Sequence, residues 1–294
     1  MNTLQGAALR ELVLRALAAT TSQCVPTGNS SWRFRAADPA PHLITARIED
    51  DWLVLESDHD VTIDSHGGFI GWLEKNGSIP SLAKFVIDAG NRIRLRAEVP
   101  IVEGADLPAR IAETCAGLAL QSCSPEPRAA SVSSRSSRPE DPDLKQLCAE
   151  AGWTCVDRSG GRLVVDLQIP ECFYPASVHP VEGGVAVQCE LAALESVTEE
   201  CGQAIAGLLL SVSSVVRPVR ATLQQEQGSP ERAAQLEVRF GGWPSPSEIS
   251  TALESLSVAC SLCGEEVKML QTPALAGRYL TLRGWTAVLA RAAA

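Results

Sequence analysis

The sequence predicts an α+β protein of two similar lobes, each an antiparallel sheet flanked by helices. Three observations carry this. One compositional break, SPEPRAASVSSRSSRPEDPD at 124–143, has Val132 as its only large aliphatic residue. So Ser-, Pro- and Arg-rich a stretch buries too little to order itself and reads as a flexible linker between lobes of 1–123 and 144–294. Both lobes mix helical periodicity with short alternating strands. The halves also run in one order, from a helix to sheet strands to a capped last helix. SLAKFVIDAGNRIRLRAEV (81–99) aligns loosely in order with the helix and strands of 201–240, and LPARIAETCAG (107–117) corresponds to PSEISTALESL (246–256), a similarity of order with weak residue identity.

In the first lobe, Ala8, Leu9, Leu12, Val13, Ala16 and Leu17 form the apolar face of an opening helix. Strands are expected at 31–37, 43–49 and 51–57, with Asp50 and Asp51 at a tight reversal. Gly67 and Gly68 mark a loop. A helix is expected over 81–89, ended by Gly90 and Asn91 in left-handed geometry. The strand Ile93–Val99 follows. The last helix has Asp106 as its cap, Pro108 in its first turn, and Leu107, Ile111, Cys115 and Leu118 as its buried stripe. The second lobe opens on a helix at 144–152. Strands are expected at 163–169 and 184–192, then a helix at 197–216 in which Gly202 and Gly207 each cost about 1 kcal/mol and call for a packing reason. Strands at 219–225 and 234–240 precede a helix begun by a capping box, Ser245 with Glu248, and Pro246 at its first position. The segment 268–284 has mixed periodicity and no assignment.

Composition narrows the function. The formal net charge is −10, and the 294 residues contain 45% hydrophobic and 20% charged residues. That charge argues against nucleic acid as a partner, which normally requires a clustered basic face, and no nucleic-acid partner is expected. The longest apolar run, Ile205 to Val216, is too short to span a bilayer, and the N-terminus lacks the apolar core of a signal peptide. No membrane partner is expected, and the ten cysteines, without small-scaffold spacing, point to a reducing, cytoplasmic location.

The stretch LAKFVIDAGNRIRLRAEVPIVEGADLPARIAETCAG, Leu82 to Gly117, resembles the YbjN-like proteins and, more distantly, the type III secretion chaperone fold. The matching pieces are FVIDAGNR, the strand IRLRAEVP and the helix from Asp106; ITARIEDDWLVLES suits the central strands. The resemblance implies a compact α-β-β-β-α-β-β-α domain, here duplicated as tandem YbjN-like domains that mimic a dimer, and a non-catalytic role in holding an extended stretch of another protein. The second lobe departs from it in length and in lacking a strongly matching central helix.

Candidate chemistry is sparse. Asp58, His59, Asp60, Asp64 and His66 are metal-ligand types without motif spacing, and read as a surface turn. His42 and His179 fall near prolines in expected loops. The CSLC pair Cys260 and Cys263 sits late in an apolar helix and reads as buried thiols. No nucleophile elbow, phosphate loop or zinc-protease motif occurs. The expectation is therefore no enzyme, no catalytic residue, no cofactor and no metal. The expected role is a protein-binding or chaperone-like module acting through a sheet edge or a helix–sheet groove. Trp72 and Trp243 are candidate exposed anchors, and Arg92, Arg94 and Arg96 a candidate contact face. The partner is another protein or the chain's own subunit, with basic or neutral partners favoured by the net charge. The alternatives are a structural or regulatory homo-oligomer and a metal-dependent enzyme using the Asp58–His66 cluster. Against eleven basic residues the first lobe sets fifteen acidic ones, so cross-strand pairing on a wet sheet face is the expected use of the three arginines.

Overall fold

The computed structural model describes residues 3–20, 23–35, 43–57, 63–123, 143–158, 161–169, 172–225 and 232–292. The first lobe contains α1 (Thr3–Thr20), β1 (Cys24–Gly28), β2 (Ser31–Arg35), β3 (Leu43–Glu49), β4 (Trp52–Ser57), a 3-10 turn at Ile63–His66, α2 (Phe69–Gly77), β5 (Ala83–Ile87), β6 (Ile93–Pro100) and α3 (Leu107–Cys123). The second contains α4 (Leu144–Glu150), β7 (Val156–Arg158), β8 (Arg162–Ile169), β9 (Cys172–Val181), β10 (Gly184–Ala193), α5 (Glu199–Val215), β11 (Arg220–Gln225), β12 (Arg232–Phe240), α6 (Pro246–Leu270), α7 (Pro273–Leu282) and α8 (Thr286–Ala292).

Each lobe forms one six-stranded antiparallel sheet, in the order β1-β2-β3-β4-β6-β5 and, in the second, β7-β8-β9-β10-β12-β11. Element for element the two orders are the same. The predicted fold class is therefore observed: α+β, two similar lobes, each an antiparallel sheet with helices. Each lobe has four strands before its central helix, one more than the resemblance implied.

The internal correspondence needs correction. The expected helix at 81–89 is the strand β5, and all five of its residues are buried. A short apolar run covered on both faces has no period to distinguish strand from helix. The central helix of this lobe is α2, which starts directly at the Gly67–Gly68 loop. Thus α2 pairs with α5, β5 with β11 and β6 with β12. The second lobe does not lack a central helix: α5 is the longer of the two. The strands β1, β7 and β9 add to those the sequence predicts, and His179 lies within β9 rather than in a loop. Most of the expected linker is outside the described residues, but Asp143 belongs to the second lobe, capping α4 by accepting from the Lys145 N–H at 3.0 Å. The capping box of α6 forms as expected, with Ser245 and Glu248 satisfying each other's backbone N–H.

The lobes share one continuous core. Each central helix lies against the other lobe's edge strand, α2 against β11 and α5 against β5, and α2 packs on α5. The contact thus has a pseudo-twofold character. Gly202 and Gly207 find their reason here. A Cβ on Gly202 would lie 3.1 Å from Ile70 of α2, and one on Gly207 would run into the Trp285 ring and lie 3.1 Å from Phe69. Asn76 joins the two sheet edges. Its amide donates to the Phe85 and Ala221 carbonyls at 3.0 and 2.9 Å and accepts from the Phe85 N–H at 2.6 Å, standing in for a peptide group of a missing strand.

Two buried cations complete the contact reciprocally. Lys84 on β5, fully buried, pairs with Glu98 at 2.7 Å and donates to the carbonyls of Ser213 and Val219, just beyond or at the end of α5, at 2.7 and 2.8 Å. Arg220 on β11 pairs with Glu237 at 2.6 Å and donates to the Ile79 and Ser81 carbonyls beyond α2 at 2.8 and 2.9 Å. Burial lowers the Lys84 pKa, against the opposing pull of Glu98. A third pair, Arg110 with Glu248 at 2.7 Å, ties α3 to α6.

Candidate functional site

The residues singled out in the sequence do not converge. Trp72 is fully buried, its ring 4.8 Å from that of Phe85 and its indole N–H donating to the Ile63 carbonyl at 3.0 Å. It is a core residue and not an exposed anchor, because it lies on the face of α2, with Phe69, Leu73 and Asn76, that packs against Phe85 of β5. Trp243 is partly buried against the core, and its carbonyl accepts from Arg110 at 2.9 Å.

The arginine ladder is largely neutralised. Arg92 lies in the turn before β6, where it and Arg94 reach Asp88 at 3.2 and 3.1 Å. Arg96 pairs with Glu98 at 2.6 Å. Farther across the same face, Arg47 pairs with Glu56 at 2.9 Å and with Glu49, which also holds Arg217 of the second lobe. The expected pairing is present, though much of it runs along a strand or to a turn rather than directly across.

Of the polar cluster, Asp58, His59 and Asp60 lie outside the described residues, as does the Asp64 side chain. His66 meets Lys75 at 3.1 Å and stacks edge-on against Trp72 at 4.4 Å. Among the described residues, no group of three His, Cys, Asp or Glu side chains is placed to hold a metal ion. Cys260 and Cys263 are buried and free, and burial pushes the Cys263 thiol up to about 12, far from thiolate chemistry at neutral pH. No helix among the described residues is long and apolar enough to cross a membrane.

What the structure assembles instead is a free strand edge beside a helix–sheet groove. Strand β7 pairs with β8 only from Val156 to Arg158, opposite Val164 to Arg162. From Val165 to Ile169 the outer edge of β8 has no strand partner among the described residues. Next to this edge is a groove of about 230 Å³ lined by Gln168 and Ile169 of β8 and by Ser257, Val258, Ser261 and Leu262 of α6. Val258 and Leu262, one helical turn apart, are 52% and 53% exposed, while Phe173, 74% exposed, points to the other face of the sheet, since its neighbours Cys172 and Tyr174 meet α6 at Glu265 and Gly264. Large apolar side chains left in water beside unpaired backbone form a surface suited to an extended chain. The first lobe has no such opening at this place, because β1 pairs along most of β2 and carries Pro26 on the outer edge.

The sequence could not point to this surface. It depends on β7 being three residues long and on a helix more than 80 positions later. No protein-family model matches the chain, and no curated protein matches it in sequence.

Proposed function

We propose that the chain is a non-catalytic protein-binding module of two tandem YbjN-like lobes, which captures an extended, apolar segment of another protein. The observation that supports this reading is the open β8 edge lying directly against the α6 groove. Backbone N–H and C=O groups from Val165 to Ile169 would pair with the incoming chain, and alternate side chains would enter the groove between Ile169, Val258 and Leu262. The reciprocal packing of α2 and α5 supports the single-chain counterpart of a dimer implied by the resemblance. A cytoplasmic setting belongs to the same proposal and follows from the free thiols.

The test is site-specific photo-cross-linking in cells from position 262, with position 10 on α1 as the control. A discrete adduct with another polypeptide, lost in Val258→Glu, is the expected result. Adducts with the chain itself alone would support the homo-oligomer reading, and no adduct from position 262 would reject the groove as a binding surface.

A further inference from the structure

The outer face of the second sheet carries a row of basic residues that no single strand reveals. Arg158 faces Arg162 across β7 and β8. One residue before the Leu163–Val178 pair, Arg162 falls opposite His179 of β9. His179 faces Ala186 of β10, and Ala186 faces Arg239 of β12. Directly opposed residues share a face, so Arg158, Arg162, His179 and Arg239 line one transverse row with only the small Ala186 between the last two. With strands about 4.8 Å apart, Arg162 and Arg239 start about 14 Å from each other and can converge over Ala186.

Among the described residues, none of Arg158, Arg162 and Arg239 has a carboxylate at ion-pair distance. The acids whose charge acts on Arg239 are Glu237 and Glu182, and on His179 Glu237. Glu237 is committed to Arg220 at 2.6 Å and Thr222 at 3.5 Å. Arg239 donates only a long contact, 3.5 Å, to the Gly77 carbonyl at the end of α2. Its Nε and the Nδ1 of His179 are buried without a hydrogen-bond partner among the described residues. Burial and the charge of Arg220 lower the Arg239 pKa, while burial, Arg162 and Arg239 lower that of His179. An uncompensated, partly buried guanidinium is costly, and an anion relieves that cost.

The corresponding row of the first lobe runs Ser31, Arg47, Val54, Glu98. There the place of Arg239 is taken by a glutamate, and Arg47 is paired.

We propose that His179 and Arg239, with Arg162 at the rim, form a binding site for a phosphate-class oxyanion over Ala186. Guanidinium groups match such an anion with two parallel donors each, and a neutral imidazole carrying its proton on Nδ1 adds a third source of donation. The site lies on a sheet face and the α6 groove at a helix–sheet junction, so the two proposals stand or fall separately.

Calorimetric titration of the full chain with inorganic phosphate, against sodium chloride and sodium acetate at equal ionic strength, tests it. Saturable one-to-one binding of phosphate is expected. Arg239→Gln should weaken it at least about tenfold, the loss expected for one charge-assisted hydrogen bond. Arg162→Gln, at a partly exposed position less exposed to folding defects, should weaken it several-fold. Arg33→Gln, on the outer face of the first sheet, should leave it unchanged. Absence of saturable phosphate binding, retention of full affinity in both Arg239→Gln and Arg162→Gln, or acetate binding as well as phosphate would each overturn the assignment.

Discussion

The two lobes share a strand order but not an electrostatic surface. On the outer face of the first sheet, arginines and acids are interleaved, so Arg47, Arg94 and Arg96 each find a carboxylate on the same face or in the adjoining turn. On the second, the acid of the equivalent row has become Arg239, and the row is cationic. Both lobes have nearly the same overall balance, eleven basic residues against fifteen acidic ones in 1–123 and against sixteen in 144–294. Net charge therefore says little about a local field: register, which brings residues from five strands into one line, decides it. A duplicated chain can place such a difference on one half only, which a symmetric dimer cannot.

The strongest way to test the equivalence of the lobes is at their reciprocal cations. Lys84→Met and Arg220→Met each remove a buried cation from a buried glutamate, leaving Glu98 with Arg96 and Glu237 with Thr222, and leave carbonyls of the other lobe unsatisfied. Each should cost about 3–5 kcal/mol in urea unfolding. A cost under about 1 kcal/mol for one of them would mean the symmetry is geometric and not energetic. Next in size, Gly207→Ala should destabilise by about 1–3 kcal/mol through overpacking against Trp285 and Phe69. Gly6→Ala in α1, where a Cβ meets nothing within 4 Å, should instead stabilise by about 0.5–1 kcal/mol. If both behave alike, the packing of Trp285 and Phe69 onto α5 is not what fixes the glycine.

The smallest effect concerns pH. Burial would raise the Asp88 pKa, but the Arg92 backbone N–H, the Arg94 guanidinium and the Gly90 backbone N–H outweigh it and hold the pKa below the usual value. The folded state then binds the Asp88 proton less readily than the unfolded state. Its contribution is complete above about pH 4 and is lost as pH falls through the lowered value. Asp88→Ala should flatten that acid limb of stability slightly; an unchanged limb would show that the paired face of the first lobe contributes no pH dependence through this residue.

Legibility followed periodicity. The capping box at Ser245, the amphipathic α3 and the long α5 carry their own signals and were placed from sequence. AKFVI in β5 did not, because a strand covered by its own lobe on one side and α5 on the other loses the alternation that marks a half-wet strand. The arginine ladder was visible because its members are neighbours in sequence, and it proved to be mostly compensated. The cationic row went unseen because Arg158, Arg162, His179 and Arg239 meet only once β10 lies between β9 and β12. The groove beside β8 likewise required knowing where β7 stops.

The reciprocal contact also has a consequence for how the chain emerges during synthesis. When β5 leaves the ribosome, the elements that cover it, α5 and β11, have not been translated, because Lys84 finds its carbonyl partners about 130 residues later. At roughly 5–20 residues per second, the first lobe waits on the order of ten seconds with a bare strand edge, a lysine–glutamate couple that lacks the carbonyls of Ser213 and Val219, and one uncovered helix face. For that interval the nascent half-protein exposes at β5 a strand that the finished molecule covers with α5.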